Sequence, residues 1–131
     1  MPRISGLGVD TVRCSRFRRF LEQGKRAVID RLFDEDEQAY ALAKKDPAPY
    51  LAVRFAAKEA FLKALGTGLR YGIAWREIGV RRDELGRPYL VLSGQAAVEF
   101  QTRGHHHMHL SCSHDGDYAF ATVILESSRG E

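Results

Sequence analysis

Apolar side chains recur with two different periods along this chain, and the period predicts where helices and strands lie. The longest helical pattern runs from Tyr50 to Leu65, with apolar residues three and four apart over much of the helical wheel. Ala56, Ala60 and Ala64 form one stripe of this helix, where small side chains let another layer pack closely. We therefore expect a largely buried helix around which the rest of the chain is organised.

Shorter patterns predict further elements on both sides of that helix. Period-two alternation indicates strands at 4–12, 78–82 and 89–93, and two more strands joined by a turn at 114–117. Short helices are indicated after a Ser15 N-cap, near Val28, after a capping box at Asp34 and Glu37, and from Gln95. Together these patterns predict an α+β fold in which a small antiparallel sheet packs on the long central helix. We expect one domain over residues 1–131, with a disordered tail from about residue 127.

Composition narrows the class of protein and its compartment. At 131 residues the chain can bury a core without disulfides, and Cys14 and Cys112 have no metal-ligand spacing. We interpret them as reduced thiols of a cytosolic protein. The first residues lack the apolar core of a signal peptide, and no apolar run is long enough to cross a bilayer. We therefore expect a cytoplasmic protein without membrane insertion.

The net charge of +3 is mild, but the charges are unevenly distributed. Basic residues crowd into one segment: Arg13, Arg16, Arg18, Arg19, Lys25 and Arg26. This segment either attracts nucleic acid, an anionic membrane or an acidic protein, or it is a solvated helix face. The acidic run at 34–37 fits the amino terminus of a helix better than a metal site. The histidines at 105–107 and 109 define no tetrahedral set, because consecutive strand residues face alternate sides.

Candidate chemistry lies at a few positions, each with a plainer alternative. Glu59 and Lys63 are one helical turn apart, and form either an intrahelical ion pair or a site for a ligand that carries phosphate and metal. Asp10 follows two glycines in the first strand, which leave space for a ligand or another backbone, unless Asp10 merely terminates the strand. His114 lies where a strand meets its turn, either over a cavity rim or as an ordinary turn residue.

Four segments, taken in order, resemble one known family. They are GLGVD followed by the basic helix, RFAAKEAFLKALGTG, GRPYL and SCSHDGDYAFATV. Over about 4–126 the chain resembles holo-acyl-carrier-protein synthase, the short type of phosphopantetheinyl transferase. The resemblance implies the 4′-phosphopantetheinyl transferase-like fold. It also implies a Mg²⁺-dependent transfer of phosphopantetheine from coenzyme A to a serine of acyl carrier protein, which releases adenosine 3′,5′-bisphosphate and activates the carrier for fatty acid biosynthesis.

The resemblance also implies roles for residues at matching positions. Asp10 and Glu59 match the Mg²⁺ ligands of the family, Lys63 matches a lysine that contacts the phosphates, and His114 matches a histidine expected near them. Further residues are expected to border the nucleotide: Arg54, Gly66, Thr67, Gly68, Gly86, Arg87 and Pro88. The general base that deprotonates the carrier serine stays open between Glu59, Asp10 and a magnesium-bound water.

Docking and assembly are implied as well. Arg16, Arg19 and Arg26 resemble a docking surface for the acidic carrier protein, while Arg13 departs from the pattern, because an acidic residue is common there. That departure indicates a changed docking surface or local salt bridges. The short members of the family form trimers with sites at subunit interfaces, so a homotrimer is implied. Two alternatives are a nucleic-acid-binding domain, which accounts for the arginines alone, and an inactive carrier-binding scaffold; nucleic acid is not an expected partner.

Overall fold

The computed structural model describes residues 1–128 of the chain. The strands are β1 (Pro2–Arg13), β2 (Ile78–Arg82), β3 (Pro88–Leu92), β4 (His107–Asp115) and β5 (Tyr118–Ser128). The helices are α1 (Cys14–Glu22), α2 (Arg26–Leu32), α3 (Glu35–Leu42), α4 (Ala48–Leu65) and α5 (Gly94–Thr102), with a 3₁₀ turn at Trp75–Glu77. The predicted α+β fold is confirmed. Within residues 1–128, no helix is long and apolar enough to cross a membrane.

The strands form two antiparallel sheets, one with the order β1-β5-β4 and the other a β2–β3 hairpin. β1 pairs with β5 along almost its whole length, with a bulge between Ile4 and Gly6. At the far end of this ladder, Ser127 and Ser128 pair with Arg3 and Pro2, although we expected them in a disordered tail. That expectation is wrong for these two serines, and the rest of the predicted tail lies outside the described residues.

The central helix packs directly against the inner face of the three-stranded sheet. Its alanines are almost fully buried, and the backbone of β1 approaches them at two glycines. A Cβ atom at Gly8 would collide with the Ala60 carbonyl oxygen and lie 2.7 Å from the Ala64 nitrogen, and one at Gly6 would collide with the Ala64 carbonyl oxygen. The backbone of α4, not a ligand, therefore fills the space beside the glycines.

One helix terminus is capped by residues of its own segment, and another by a residue distant in sequence. The predicted capping box of α3 is confirmed, with the Asp34 side chain accepting from the Glu37 amide and the Glu37 side chain from the Asp34 amide. The prediction of Ser15 as N-cap of α1 is wrong, because α1 begins at Cys14. The Ser15 amide and hydroxyl donate instead to the carboxylate of Asp117, at 2.9 and 3.0 Å. A carboxylate from the β4–β5 turn thus satisfies the helix terminus, which favours negative charge.

Candidate active site

The end of β1 brings Asp10 next to the middle of α4. The Lys63 ammonium donates to Asp10 Oδ1 at 2.8 Å and to the Val9 carbonyl oxygen at 3.0 Å. Hydrogen bonding to Asp10 raises the pKa of Lys63. Lys63 therefore pairs across to the strand, which is a different contact from the intrahelical pair with Glu59 that the spacing allowed.

Glu59 completes this cluster from one helical turn earlier. Burial raises the pKa of the Glu59 carboxyl, and the negative charge of Asp10 raises it further, while Lys63 and Arg16 oppose the rise. This mutual repulsion means that the two carboxylates share one electrostatic environment. The structure thus brings together Asp10, Glu59 and Lys63, which sequence analysis placed at the metal and the phosphates.

The donor set fits a small, hard divalent cation. Two partly accessible carboxylates that repel each other are relieved by such an ion, which prefers oxygen ligands. Among the residues that the structure describes, no group of three or more His, Cys, Asp or Glu side chains could hold a metal. An ion here would therefore need oxygens from a substrate and from water to complete its coordination.

On another side of α4, a cavity of about 320 Å³ opens between three elements. Its walls come from α4, the β2–β3 hairpin and the end of β4, and they include Arg54, Gly86, Pro88 and His114. Arg54, Gly86 and Pro88 were expected to border the nucleotide, and His114 to lie near the phosphates. Cys112 also lines this cavity, where burial raises the pKa of its thiol to about 11. The thiol is therefore neutral at physiological pH.

Two arginines of this cavity, Arg54 and Arg82, belong to a basic cluster that extends beyond its walls to Tyr40 and Lys44. Three cationic groups surround the ring of Tyr40, with the Arg54 guanidinium at 4.5 Å, the Lys44 ammonium at 4.5 Å and the Arg82 guanidinium at 5.7 Å from its centroid. Arg54 is buried and donates to the Tyr50 carbonyl oxygen at 3.0 Å, while its Nε has no hydrogen-bond partner among the described residues. Burial lowers the pKa of Arg54. A bound anion would relieve the crowded positive charge.

Sequence patterns predicted no role for Tyr40, Lys44 or Arg82. They belong to the α3 helix, the loop after it and the β2 strand, and only the tertiary fold brings them to Arg54. Residue spacing predicts which side chains are neighbours within one helix or strand. It cannot predict a cluster whose members come from four different segments of the chain.

The remaining residues expected at the nucleotide lie elsewhere in a single chain. Gly66 is the left-handed C-cap of α4, with φ of 83°, and Thr67 is buried with its hydroxyl donating to the Gly68 carbonyl at 2.8 Å. This turn is about 18 Å along the helix from Arg54. Arg87 is exposed, and its guanidinium lies 3.2 Å from Asp83 beside a neighbouring cleft. In a single chain, the residues that were expected to border the nucleotide therefore do not all lie at one site.

The two clusters face different directions around α4. Residues Arg54 and Glu59 are five positions apart, which places them about 140° from each other around a helix, and Lys63 is about 180° from Arg54. The cluster of Asp10, Glu59 and Lys63 is called the acidic half below, and the cavity with Arg54 and His114 the basic half. In one chain the two halves lie back to back.

The arginines expected to dock a partner occupy two helices. Arg16 and Arg19 are exposed on α1, and the Arg16 guanidinium lies 5.2 Å from the Phe55 ring and close enough to Glu59 to lower its pKa. Arg26 is exposed on α2 but donates to Asp30 at 3.1 Å and to Gln38 at 2.8 Å. The α1 surface therefore adjoins the acidic half.

Arg13 makes local contacts instead of contributing a second carboxylate. Its guanidinium lies 5.0 Å from the centroid of the Tyr118 ring and 3.9 Å from Asp117. Asp117 also lies 4.0 Å from Arg18, which in turn pairs with Asp46 at 2.8 Å. Of the two explanations offered for this departure, local salt bridging is what the structure contains.

The histidine-rich segment makes ordinary structural contacts. His105 is buried, with Nδ1 at 2.7 Å from the Ser5 hydroxyl and its ring 5.5 Å from that of Phe100. His109 Nε2 lies 2.7 Å from Glu126 Oε1 across the sheet.

Comparison with known proteins identifies the family of this chain. The family model described as the 4′-phosphopantetheinyl transferase superfamily matches residues 6–123. The holo-[acyl-carrier-protein] synthase of Syntrophotalea carbinolica is 66% identical over 128 residues, covering 98% of this chain and 100% of that protein. The one from Trichlorobacter lovleyi is 56% identical over 124 residues, covering 95% and 98%.

Solved structures give the same result. The holo-[acyl-carrier-protein] synthase from Neisseria meningitidis superimposes with a TM-score of 0.84 at 35% identity, over 94% of this chain and 98% of that one. The enzyme from Bacillus anthracis, solved in complex with coenzyme A (3′,5′-ADP), gives 0.78 at 35% identity, over 95% and 98%. The chain therefore belongs to the 4′-phosphopantetheinyl transferase superfamily. Within it, the relatives are holo-[acyl-carrier-protein] synthases, and this chain is an enzyme of that type.

Proposed function

We propose that this enzyme transfers the 4′-phosphopantetheine group of coenzyme A to a serine of an apo-acyl carrier protein and releases adenosine 3′,5′-bisphosphate. The observation that carries the proposal is the acidic half, where Asp10, Glu59 and Lys63 converge beside an exposed basic helix. The names of the relatives and the coenzyme A complex of the Bacillus anthracis enzyme support it. We further propose that the modified carrier serves fatty acid biosynthesis and that the enzyme is cytoplasmic.

The acidic half is proposed to need Mg²⁺. Asp10 and Glu59 would hold the ion, which would supply charge neutralisation at the phosphate oxygens when bound. Lys63 lies beside both carboxylates, so its ammonium is placed to bind a phosphate oxygen and to stabilise charge on the departing bisphosphate. Arg16 adds a further positive charge next to Glu59.

The basic half is proposed to hold the nucleotide end of coenzyme A. Arg54, Arg82 and His114 line this cavity, and Lys44 adds positive charge next to the two arginines at the Tyr40 ring. Phosphates are bound by such groups through charge-assisted hydrogen bonds. Gly86 and Pro88 form the wall of the cavity on the hairpin side.

A homotrimer would bring the two halves of neighbouring subunits together. The back-to-back placement supports this proposal, because one pyrophosphate cannot lie on both sides of α4 in the same chain. The outer face of the β1-β5-β4 sheet provides a surface for assembly. It exposes several large apolar side chains, including Leu7, Val9 and Phe120, at 63%, 53% and 39%. A second copy of this chain would bury them.

Carrier docking is proposed on the α1 surface. Arg16 and Arg19 are exposed there, and Arg26 adds to the basic surface from α2 while paired with Asp30. Acidic carriers would be steered to this surface and placed next to the acidic half, since Arg16 adjoins Glu59.

Mass spectrometry of the carrier tests the proposal. The protein is mixed with coenzyme A, Mg²⁺ and apo-acyl carrier protein, and the carrier is weighed before and after. We expect a gain of one phosphopantetheine group with the wild-type protein, no gain without Mg²⁺, and no gain with Glu59→Gln. If several apo-carriers stay unmodified but bind the protein, an inactive carrier-binding scaffold explains the chain better. Wild-type rates in Glu59→Gln would remove this carboxylate from the metal site.

A further inference from the structure

A buried ion pair lies outside both halves of the proposed site. Lys58 on α4 and Glu37 on α3 have no exposed side-chain surface, and Lys58 Nζ lies 2.9 Å from Glu37 Oε1. The same ammonium donates to the carbonyl oxygens of Trp75, at 3.1 Å, and Ile78, at 2.6 Å. All three of its protons are therefore used: one by Glu37 of α3, one by the 3₁₀ turn that precedes β2, and one by the first residue of β2.

The Glu37 carboxylate extends this network on its other side. Oε2 accepts from the Val80 amide at 2.9 Å, and Oε1 accepts from the Asp34 amide at 2.9 Å. Asp34 in turn binds the Arg81 guanidinium at 2.8 Å. The network therefore joins α3, α4 and β2 through hydrogen bonds to successive hairpin residues.

Stability alone explains such a pair poorly. Removing two charges from water offsets much of their mutual attraction, so a buried ion pair is often no more stabilising than apolar side chains of the same volume. What a fully hydrogen-bonded network does well is to fix the relative position of the elements that it joins. This network therefore fixes one distance, the separation between the β2–β3 hairpin and α4.

That distance is the width of the basic half. Val80, whose amide is held by Glu37, lines the cavity on the hairpin side together with Arg82. Arg54 lines the opposite wall and lies one turn before Lys58 on the same face of α4. Lys58 and Glu37 thus tie together the two walls between which Arg54 and Arg82 face the cavity.

We propose that Lys58 and Glu37 are positioning residues that hold the β2–β3 hairpin against α4 and thereby set the width of the coenzyme A cavity. This inference rests on the proposed function, because it identifies the cavity with the coenzyme site. Loosening the network lets the hairpin move away from Arg54, so coenzyme A affinity falls. The chemical step at Asp10, Glu59 and Lys63 is unaffected once the coenzyme is bound.

The test uses the double variant Lys58→Met/Glu37→Gln, which removes both charges and leaves an amide oxygen to accept from Val80. Coenzyme A affinity is measured by calorimetry, and KM and kcat are measured in the transfer assay. We expect the Kd and KM for coenzyme A to rise about tenfold, with kcat at saturation within about twofold of wild type. Amide hydrogen exchange in β2 and β3 should accelerate in the same variant.

Two further variants separate positioning from general stability. Ile29→Ala removes a buried side chain of α2 away from the network, and should lower the melting temperature without changing coenzyme A affinity. Asp34→Asn weakens the outer Arg81 contact and should raise the Kd about threefold, so it gives the answer if the double variant does not fold.

Each outcome has a distinct meaning. Wild-type coenzyme A affinity in a folded double variant, or in Asp34→Asn when the double variant is unfolded, overturns the positioning role and leaves the proposed function intact. An equal loss of affinity in Ile29→Ala also overturns it, because the effect is then general destabilisation. If wild-type protein does not bind coenzyme A at all, the proposed function itself fails, and the inference fails with it.

Discussion

Replacing Gly8 with alanine tests whether the close approach of β1 to α4 creates the acidic half. A methyl group at this position would lie 2.7 Å from the Ala64 nitrogen and would collide with the Ala60 carbonyl oxygen. Both neighbours are backbone atoms inside a helix, so they cannot rotate away as a side chain would. The strand and the helix must therefore separate, and Asp10 lies two residues further along the moving strand.

The structure sets the size of the effect. Ordinary contact between such atoms needs about 3.5 to 4.0 Å, so the two elements must move apart by at least about 1 Å. Overpacking of this kind costs about 1 to 3 kcal/mol of folding free energy. Displacement of Asp10 from Glu59 and Lys63 by roughly 1 Å should lower kcat/KM by about 100-fold. The loss of activity is therefore expected to exceed what the loss of folded protein explains.

The assay measures carrier modification and thermal stability side by side. Gly104→Ala is the matched control, because a methyl group there meets nothing within 4 Å while φ of 87° still makes alanine unfavourable. It should lose about 1 kcal/mol of stability and keep its transfer rate. A Gly8→Ala variant that is folded and as active as Gly104→Ala would refute the claim that this contact positions Asp10.

Two further predictions concern the basic helix and a buried histidine. Arg16→Glu should raise the KM for the carrier about tenfold and leave the KM for coenzyme A unchanged, because it reverses a charge on the proposed docking surface. Steady-state kinetics with each substrate varied in turn checks this prediction. An effect confined to the KM for coenzyme A would contradict it. For His105, burial lowers the pKa, and Arg103 and His106 lower it further, so the unfolded chain binds a proton more readily than the folded one. The stability that this provides is complete above about pH 6.5 and is lost as the pH falls from there towards the folded-state pKa. Melting temperatures of wild type and His105→Phe between pH 7 and pH 5 should therefore diverge, with the variant less sensitive to acid; parallel curves would assign the acid sensitivity to other groups.

Local patterns predicted the elements of this fold better than the contacts between them. The α4 helix follows from its apolar periodicity, and the α3 cap follows from Asp34 and Glu37 three residues apart. Ser15 was chosen as a cap by the same local rule, which failed because Asp117 reaches the α1 terminus from 102 residues away in sequence. A cap that another element supplies cannot be predicted from the residues next to the helix terminus.

In the candidate site, too, some residues were predicted from the sequence and others depend on contacts between elements. Asp10, Glu59 and Lys63 were placed by motif resemblance, and the structure brings them together. Lys58 was given no role by the sequence patterns, and its buried partner Glu37 was assigned only to a helix cap. The capping box already accounts for a carboxylate at Glu37, so the sequence offers no reason to look for a second partner. The second role depends on how α3 packs on α4, which spacing does not encode.

The central claim is that an acidic half from one subunit works with a basic half from its neighbour, and mixing two inactive variants tests it most directly. Glu59→Gln disables the acidic half, and the pair His114→Ala with Arg82→Ala disables the basic half. The two proteins are denatured together, refolded as mixed oligomers and assayed for carrier modification. In randomly mixed cyclic trimers about a quarter of the interfaces combine two intact halves, so we predict activity near a quarter of wild type. A mixture no more active than its separate components would contradict a site shared between subunits.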